Sequence, residues 1–468
     1  MGNKRRPTRS TSEATPARKA AFELLRSVRE QETFLSRIAP RVLGSYSLDA
    51  SDAAFARLLA QGALSLQVTL DTLIDRVLRS PRDIKVDVRD ALRLSAYEIL
   101  YLHKEDHAAV DQGVELVRWF APRATGVANY VLHRIVEERD RFPYGNPSES
   151  LEAAALLAGF PLWLARAIKK DIGLRNAFTL MEESLAPAPV YFMANAGALS
   201  RKELVSILET AGIEFNTCRC FMPGAQEDLD AIFQLAHRSD VGNEAFLELL
   251  KLDKIVVSDL SAQSIVLRGA CTLLKDGARM LEIGAGRGTK TLQFQSICKE
   301  AEINLVAYDV IDSDSKKLHQ LESRVVQTGG KTTEVVASDA TKPLPFPENA
   351  YDLVFIDAPC TGVGTLRRHP EIKARLEETD SRTLAKTGQA MLFQAAHQVR
   401  VRGYLMYATC TIFKEENEKT IKRFLASPAG QGFEIVPIGA KGAPFFKTPV
   451  LKGGPDLHFA ALLQRVAE

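Results

Sequence analysis

The sequence predicts a multidomain chain: an all-α domain, then a small α+β unit, then an α/β doubly wound, Rossmann-like domain built on a parallel sheet. Three observations lead there. Helical periodicity runs without a strand signal up to about residue 188. After Lys251, short apolar runs alternate with helical stretches, the pattern of parallel strands with crossover helices. Two of those runs end in a cysteine, Cys360 in Tyr351-Asp-Leu-Val-Phe-Ile-Asp-Ala-Pro-Cys360 and Cys410 in Gly403-Tyr-Leu-Met-Tyr-Ala-Thr-Cys410. Open α/β sheets bind ligands at the carboxyl ends of their strands, so both thiols are expected where chemistry happens. Either thiol alone has a plainer alternative as a small buried hydrophobe; the pair points to covalent chemistry.

Length and charge bound the rest. A chain of 468 residues holds two to four domains. No run of about 18 apolar residues is present and Met1-Gly-Asn-Lys-Arg-Arg-Pro lacks the apolar stretch of a signal peptide, so a cytoplasmic protein with no membrane partner is expected. In that setting six cysteines do not read as a disulfide framework, and Cys218-Arg-Cys220, without a second pair or a nearby histidine, predicts no metal. A net charge of +2 carries no global argument for nucleic acid, so any such argument must be local.

Taken in order, residues 1–15 are basic, rich in Ser, Thr and Pro, and predict a disordered tail. Thr15-Pro16 supplies an N-cap and a first-turn proline, and Ala17, Ala20, Leu24 and Val28 recur at helical spacing. Ser51-Asp52 opens a second pattern through Leu66, and others follow over Leu70 to Leu78, Val88 to Tyr101, Ala109 to Phe120 and Thr125 to Arg139. The segments Leu92-Arg-Leu-Ser-Ala-Tyr-Glu-Ile-Leu-Tyr101, His107-Ala-Ala-Val-Asp-Gln-Gly-Val-Glu-Leu-Val-Arg118 and Ala128-Asn-Tyr-Val-Leu-His-Arg134 resemble the NusB-like RNA-binding domain. That resemblance implies a helical bundle over 16–140 that helps to hold RNA. A bundle that serves only as a neighbour to the next domain is the plainer alternative.

Phe142-Pro-Tyr-Gly-Asn-Pro-Ser148 marks a linker. Residues 141–250 are expected to hold this linker, further helices to about Leu185, and a small α+β unit with a strand in Pro187 to Asn195 and a helix over Ser200 to Ala211. From 251 to 468 the strand candidates are Met280 to Ile283, Ile303 to Tyr308, Thr333 to Val336, Tyr351 to Ile356 and Tyr404 to Ala408.

The first of these strands runs into Glu282-Ile-Gly284-Ala285-Gly286-Arg287-Gly288-Thr289-Lys290, a glycine-rich turn opening a helix. Such a turn lets the backbone approach a ligand, and the helix N-terminus favours an acidic group. The dinucleotide fingerprint and the phosphate-binding loop each require glycine at position 289, which is Thr289. The usual loop of S-adenosylmethionine (SAM) methyltransferases is the better match. Asp309 then falls where a carboxylate accepts from a ribose diol, and Asp339, after the third strand, where one meets an adenine amine. Either aspartate is equally suited to a helix cap or turn.

Asp357-Ala-Pro-Cys360-Thr-Gly-Val-Gly-Thr-Leu-Arg-Arg-His-Pro-Glu-Ile-Lys373 and Tyr407-Ala-Thr-Cys410-Thr-Ile-Phe-Lys-Glu-Glu-Asn417 resemble the two signature motifs of RNA cytosine-C5 methyltransferases. With the NusB-like front end, the chain resembles their Sun/RsmB branch, which methylates a cytosine of small-subunit ribosomal RNA. The resemblance implies that Cys410 is the nucleophile that adds to C6 of the base, that Cys360 assists product release, that Asp357 contacts the pyrimidine edge and the cofactor, and that SAM is the methyl donor. Arg367, Arg368, His369, Lys373 and Arg375 are expected to clasp RNA phosphates beside a flipped base. The enzyme is expected to act as a monomer. The loop departs from the branch's usual Cys-Ala-Ala-Pro-Gly-Gly-Lys, and Asp456-Leu-His-Phe459 stands for Asp-Gly-Phe-Phe. The competing reading is a ribosome-assembly protein with a catalytically impaired methyltransferase domain; retention of both thiols and Asp357 argues against it.

Overall fold

A computed structural model describes residues 13–220, 222 and 232–467. They form two compact units, residues 13–186 together with His369–Arg375, and residues 187–368 together with 376–467. Most of the expected basic tail, residues 1–12, lies outside the described residues.

The first unit is helical: α1 (Pro16–Glu30), α2 (Leu35–Gly44), α3 (Ala50–Ser65), α4 (Gln67–Val77), α5 (Val86–Leu100), α6 (Asp106–Phe120), α7 (Thr125–Glu138), α8 (Leu151–Ala158), α9 (Leu162–Ile172) and α10 (Leu174–Glu183). The starts follow local chemistry. Pro16 occupies the first turn of α1, and Asp49 rather than Ser51 caps α3 by accepting from Asp52 N–H. The expected apolar stripe of α1, Ala17, Ala20, Leu24 and Val28, is buried. Central α5 is buried almost all round, and its charged residues are paired: Glu98 with Arg18 at 2.6 Å, Asp90 with Arg93 at 2.6 Å and with Arg29 at 3.0 Å. Burial pushes the Asp90 carboxyl up, against the two arginines, so only removal of both would leave its buried charge without a paired cation. Helices α8–α10, expected to accompany the small α+β unit, pack with this first unit instead.

His369–Arg375 completes the first unit, and here the expectation that Lys373 contacts RNA is corrected. Lys373 is 1% exposed, and its Nζ donates to Ala158 O at 2.8 Å and to Ser65 Oγ at 3.1 Å. An ammonium so enclosed has no face to offer a phosphate; burial lowers its pKa to about 7. Arg375 donates to Thr33 O at 2.7 Å, and the His369 ring packs 4.8 Å from that of Phe34. Within the cluster that reads as a basic patch in sequence, Lys373 is a buried anchor while Arg375 stays exposed.

The second unit begins with an antiparallel four-stranded sheet, β1 (Tyr191–Ala194), β2 (Phe215–Cys218), β3 (Ile232–Leu235) and β4 (Ile255–Val257), in the order β2-β3-β1-β4. Helices α11 (Arg201–Thr210) and α12 (Glu244–Lys251) bury Leu204, Leu208, Phe246 and Leu249 against Phe192 and Phe233. Ser200 and Glu203 cap α11 reciprocally.

The larger sheet runs β10-β12-β9-β8-β5-β6-β7, with β11 beside β12, from β5 (Arg279–Ile283), β6 (Ala307–Asp312), β7 (Val335–Ala337), β8 (Tyr351–Asp357), β9 (Val399–Thr409), β10 (Phe433–Val436), β11 (Phe445–Lys447) and β12 (Phe459–Arg465). Strands β5 to β9 are parallel and β10 to β12 antiparallel, the latter absent from the sequence expectation. Alternate residues serve opposite faces. Met280, Val310, Leu353 and Met406 meet α13 (Leu260–Leu273), α14 (Thr289–Glu300) and α15 (Ser315–Gln327); Leu281, Ile311, Val354 and Leu405 meet α16 (Asp380–Gln398) and α17 (Glu418–Leu425). From β5 the chain winds outward through β6 and β7, then returns to β8 on the other side, which places the switch point between β5 and β8.

The buried lysine gives a pH-dependent signature. A folded pKa near 7, against 10.5 for a free lysine, means that the unfolded chain binds more protons across that window, so stability rises with pH there. Relative to Lys373→Met, wild type should gain up to about 1.4 kcal/mol per pH unit between pH 7.5 and 9.5 in urea unfolding. A constant difference would contradict the assigned environment.

A candidate active site at the carboxyl ends of the central strands

Strands β8 and β9 are neighbours, so the loops that leave them run side by side, and the two cysteines meet. Cys360 Sγ and Cys410 Sγ lie 3.3 Å apart, and Cys410 N–H points at Cys360 Sγ, also at 3.3 Å. Both thiols are half-buried and unbridged. The contact with Cys410, then burial, holds the Cys360 thiol well above its usual range, so Cys360 carries its proton at neutral pH. Register explains the meeting: Asp357 pairs with Ala408, and Ala358 N–H donates to Ala408 O at 2.9 Å as the ladder ends.

Beyond the ladder, a buried polar network holds the loops. Glu416 accepts from Thr361 N–H at 2.7 Å and from Thr361 Oγ1 at 2.9 Å, and Thr361 and Thr411 hydroxyls share a bond of 2.7 Å. Asn417 Nδ2 donates to Thr411 O at 2.9 Å while its Oδ1 accepts from Thr409 Oγ1 at 2.6 Å. Burial raises the Glu416 carboxyl to about 7 against these donors. Gly364 N–H donates to Cys410 O at 2.9 Å; a Cβ on Gly364 would stand 1.8 Å from Leu457 O, so only glycine fits.

On the β5 side, Lys290 Nζ, from the first turn of α14, meets Asp357 Oδ2 at 2.5 Å. Burial opposes the Lys290 charge, but the Asp357 carboxylate, followed by Cys410 and Glu282, raises its pKa above the ordinary lysine value. A cation thus stands within electrostatic reach of the Cys410 sulfur. Gly284, at φ +82°, passes so close that a Cβ would sit 2.5 Å from Asp357 O. The turn therefore runs directly beside Asp357, with Ala285 buried beneath it and Arg287 exposed. Gly286 is open above, a Cβ there meeting nothing nearer than 4.0 Å, and Gly288 is the N-cap of α14, leading into Thr289. Glu282 is fully buried; its Oε2 accepts from Thr291 Oγ1 at 2.8 Å and Tyr308 OH at 2.6 Å, and Oε1 has no partner.

Asp309 does not stand where the sequence placed it. Strand β6 continues past it to Asp312, and Asp309, 2% exposed, accepts from Tyr351 OH at 2.5 Å and Glu334 N–H at 3.0 Å inside the sheet. The strand-end acid is Asp312, which accepts from Gly286 N–H at 2.9 Å and Asp314 N–H at 2.9 Å. Aspartate is a poor strand residue, which ends the sequence-based strand at Tyr308, four residues early; the second acid in Tyr308-Asp-Val-Ile-Asp312 was the available signal. Asp339 lies just past β7, exposed, and its contacts are those of a turn residue, from Thr341 N–H at 2.9 Å and Thr341 Oγ1 at 2.7 Å, which hold its carboxyl below the usual range.

Arg368 is a second correction to the expected phosphate clasp. Its guanidinium binds Asp456 at 2.6 Å, Asp259 at 3.2 Å and Pro189 O at 2.9 Å, both carboxylates being buried. Arg367 donates to Gly454 O at 2.8 Å and Pro187 O at 2.9 Å. These two arginines tie the loop after Cys360 to the entry of the small sheet and to the segment before β12. Among the described residues, no group of three or more His, Cys, Asp or Glu side chains is placed to hold a metal, and no single helix is long and apolar enough to cross a membrane. Arg368→Ala would strand two buried carboxylates and should lower unfolding stability by about 3–5 kcal/mol. A loss below about 1 kcal/mol, the scale of an exposed pair, would contradict the clamp.

Residues 271–445 match the family model described as 16S rRNA methyltransferase RsmB/F, and residues 15–137 match that of the NusB family. The chain is 28% identical over 484 aligned positions to a putative methyltransferase of Mycobacterium tuberculosis, covering 99% of this chain and 98% of that protein. It is 26% identical over 451 positions to ribosomal RNA small subunit methyltransferase B of Escherichia coli, covering 93% and 98%. The fold matches the crystal structure of PH0851 with a TM-score of 0.76, at 22% identity over 97% of this chain and all of that one. NSun6 from Pyrococcus horikoshii matches with a TM-score of 0.54, at 17% identity over 66% and 99%. The chain is thus similar to the NusB family over its helical residues 15–137 and to the RsmB/F methyltransferase family over residues 271–445.

Proposed function

We propose that this protein methylates C5 of a cytosine in small-subunit ribosomal RNA, using SAM and a covalent cysteine adduct. The observation that carries the reading is the 3.3 Å meeting of Cys360 and Cys410 beside the Lys290–Asp357 pair. The family match and the ribosomal RNA named for the Escherichia coli relative support the substrate class.

The residues around the glycine-rich turn fit a ligand with a ribose and an amino-acid end. The turn is open above Gly286, Asp312 stands at the next strand end, and Glu282 keeps one buried oxygen unpaired. SAM, when bound there, supplies an electrophilic methyl group. Binding would draw on the turn from Gly284 to Lys290 and on Asp312.

Cytosine C5 is a weak nucleophile. Addition of the Cys410 sulfur to C6 makes C5 enamine-like and able to take a methyl group. Lys290 supplies positive charge beside the attacking sulfur, and Asp357, 34% exposed at its side chain, presents a carboxylate toward the base edge. After methylation the C5 proton passes to water, the C5–C6 double bond re-forms, and the C6–sulfur bond breaks with its electron pair going to Cys410. Cys360, held as a thiol, donates a hydrogen bond to the departing sulfur. The target base must be unstacked to reach the half-buried thiols, at about a few kcal/mol, which favours loops and partly unfolded RNA.

The roles separate on a denaturing gel after incubation with a 16S rRNA transcript and SAM. Cys360→Ala should accumulate a protein–RNA adduct and Cys410→Ala should form none, while both lose turnover by at least about 100-fold. An adduct that persists without Cys410 would overturn the assignment.

A further inference from the structure

We infer that Glu416 is a positioning residue for the thiol pair, setting Cys360 against the Cys410 sulfur by gripping Thr361. The inference rests on the proposed covalent mechanism. Three observations meet on this side chain.

First, the geometry is directed at the cysteines. Thr361 follows Cys360 and Thr411 follows Cys410, so the 2.7 Å bond between the two hydroxyls links the residues next to the two sulfurs. Glu416 holds the Thr361 end with both carboxylate oxygens, one on the N–H and one on the hydroxyl. With the Thr361 hydroxyl donating to Glu416, the Thr411 hydroxyl must donate to Thr361, so the carboxylate sets the direction of the whole relay. Asn417 holds the Thr411 end through its carbonyl.

Second, the grip is rigid and dry. Glu416 is 1% exposed, Thr361 5% and Thr411 1%, and Tyr407 OH donates to Glu416 O at 3.0 Å, pinning the backbone of the same residue from inside the sheet. Buried carboxylates are costly, and an apolar residue would pack here at lower cost, so the carboxylate calls for a reason beyond packing.

Third, the distance at stake is short. Cys360 hydrogen-bonds the departing sulfur only while the two sulfurs stay near their 3.3 Å separation, whereas addition of Cys410 to the base does not require Cys360 at all. Glu416 therefore acts on release and not on attack. Release breaks the C6–sulfur bond as the C5–H electron pair re-forms the ring double bond, the proton passing to water.

The test compares the rate of adduct formation with the rate of adduct resolution, using the full chain, a 16S rRNA transcript and SAM. Glu416→Gln keeps the shape but replaces one acceptor with a donor facing a donor. It should slow resolution by about tenfold and leave formation within about twofold. In a Cys360→Ala background it should slow resolution no further, since its effect passes through Cys360. Thr361→Ala, which keeps the carboxylate and removes the hydroxyl relay, should show the same selective loss; it serves as the second variant if Glu416→Gln is poorly folded. A second readout is free of RNA: oxidation of the protein by diamide should join Cys360 to Cys410 in wild type and do so several-fold more slowly in Glu416→Gln. If Cys360→Ala forms no adduct, the covalent mechanism itself fails. If Cys360→Ala traps the adduct but Glu416→Gln resolves it at the wild-type rate, or adds its own loss on top of Cys360→Ala, the positioning role is wrong.

Discussion

Ala358 N–H donates to Ala408 O at 2.9 Å, the last rung of the parallel ladder between β8 and β9, and the candidate chemistry lies just beyond that rung. Parallel neighbours end on the same side of a sheet, so residues a few positions past the register pair must emerge together. Cys360 follows its rung by two residues and Cys410 follows its own by two as well. Had the two segments paired antiparallel, or had another strand come between them, the sulfurs would stand at opposite ends or at least a strand's width, about 4.8 Å, further apart.

What the ladder begins, a set of buried polar contacts completes, and it does so with unequal chemistry on its two sides. Toward β5 lies charge: Lys290 against Asp357, with Cys410 within the reach of the same ammonium. Toward the start of α17 lies a network of hydroxyls, an amide and a carboxyl with no cation in it: Thr361, Thr411, Asn417 and Glu416. The first arrangement suits a sulfur that gains negative charge; the second suits holding a neutral thiol still. The asymmetry between attack and release thus follows from which neighbour each cysteine faces.

The fold class was legible because periodicity is a property of many residues at once. The stripe Ala17, Ala20, Leu24 and Val28 is buried, the runs Tyr351 to Ile356 and Tyr404 to Ala408 lie within β8 and β9, and the two cysteines that follow them lie side by side. Single polar residues were harder. Asp309 and Asp312 lie three apart on one strand, and only the true strand end tells which is buried against Tyr351 and which meets Gly286. Arg368 and Lys373 belong to a run that resembles a solvated basic face, yet their partners, Asp259, Asp456, Ser65 and Ala158, lie over 80 residues away in sequence, beyond any local pattern. Glu416 was quoted within a motif but carried no visible role, because its partner Thr361 is brought to it only by the sheet. The antiparallel strands β10 to β12 were missed for a related reason: they pair with one another and with β9, and carry no alternating helix between them to announce a parallel crossover.

The central claim is that one of two touching sulfurs, that of Cys410, forms the bond to RNA. Fluorine at C5 cannot leave as a proton does, so an RNA carrying 5-fluorocytosine stops the reaction after methyl transfer with the sulfur still attached. A 16S rRNA transcript made with 5-fluorocytidine, incubated with the wild-type protein and SAM, digested and mapped by mass spectrometry, identifies the attached residue. The account predicts a methylated fluorocytosine on the peptide containing Cys410. Attachment at Cys360, or methylated product without any attached peptide, would contradict it.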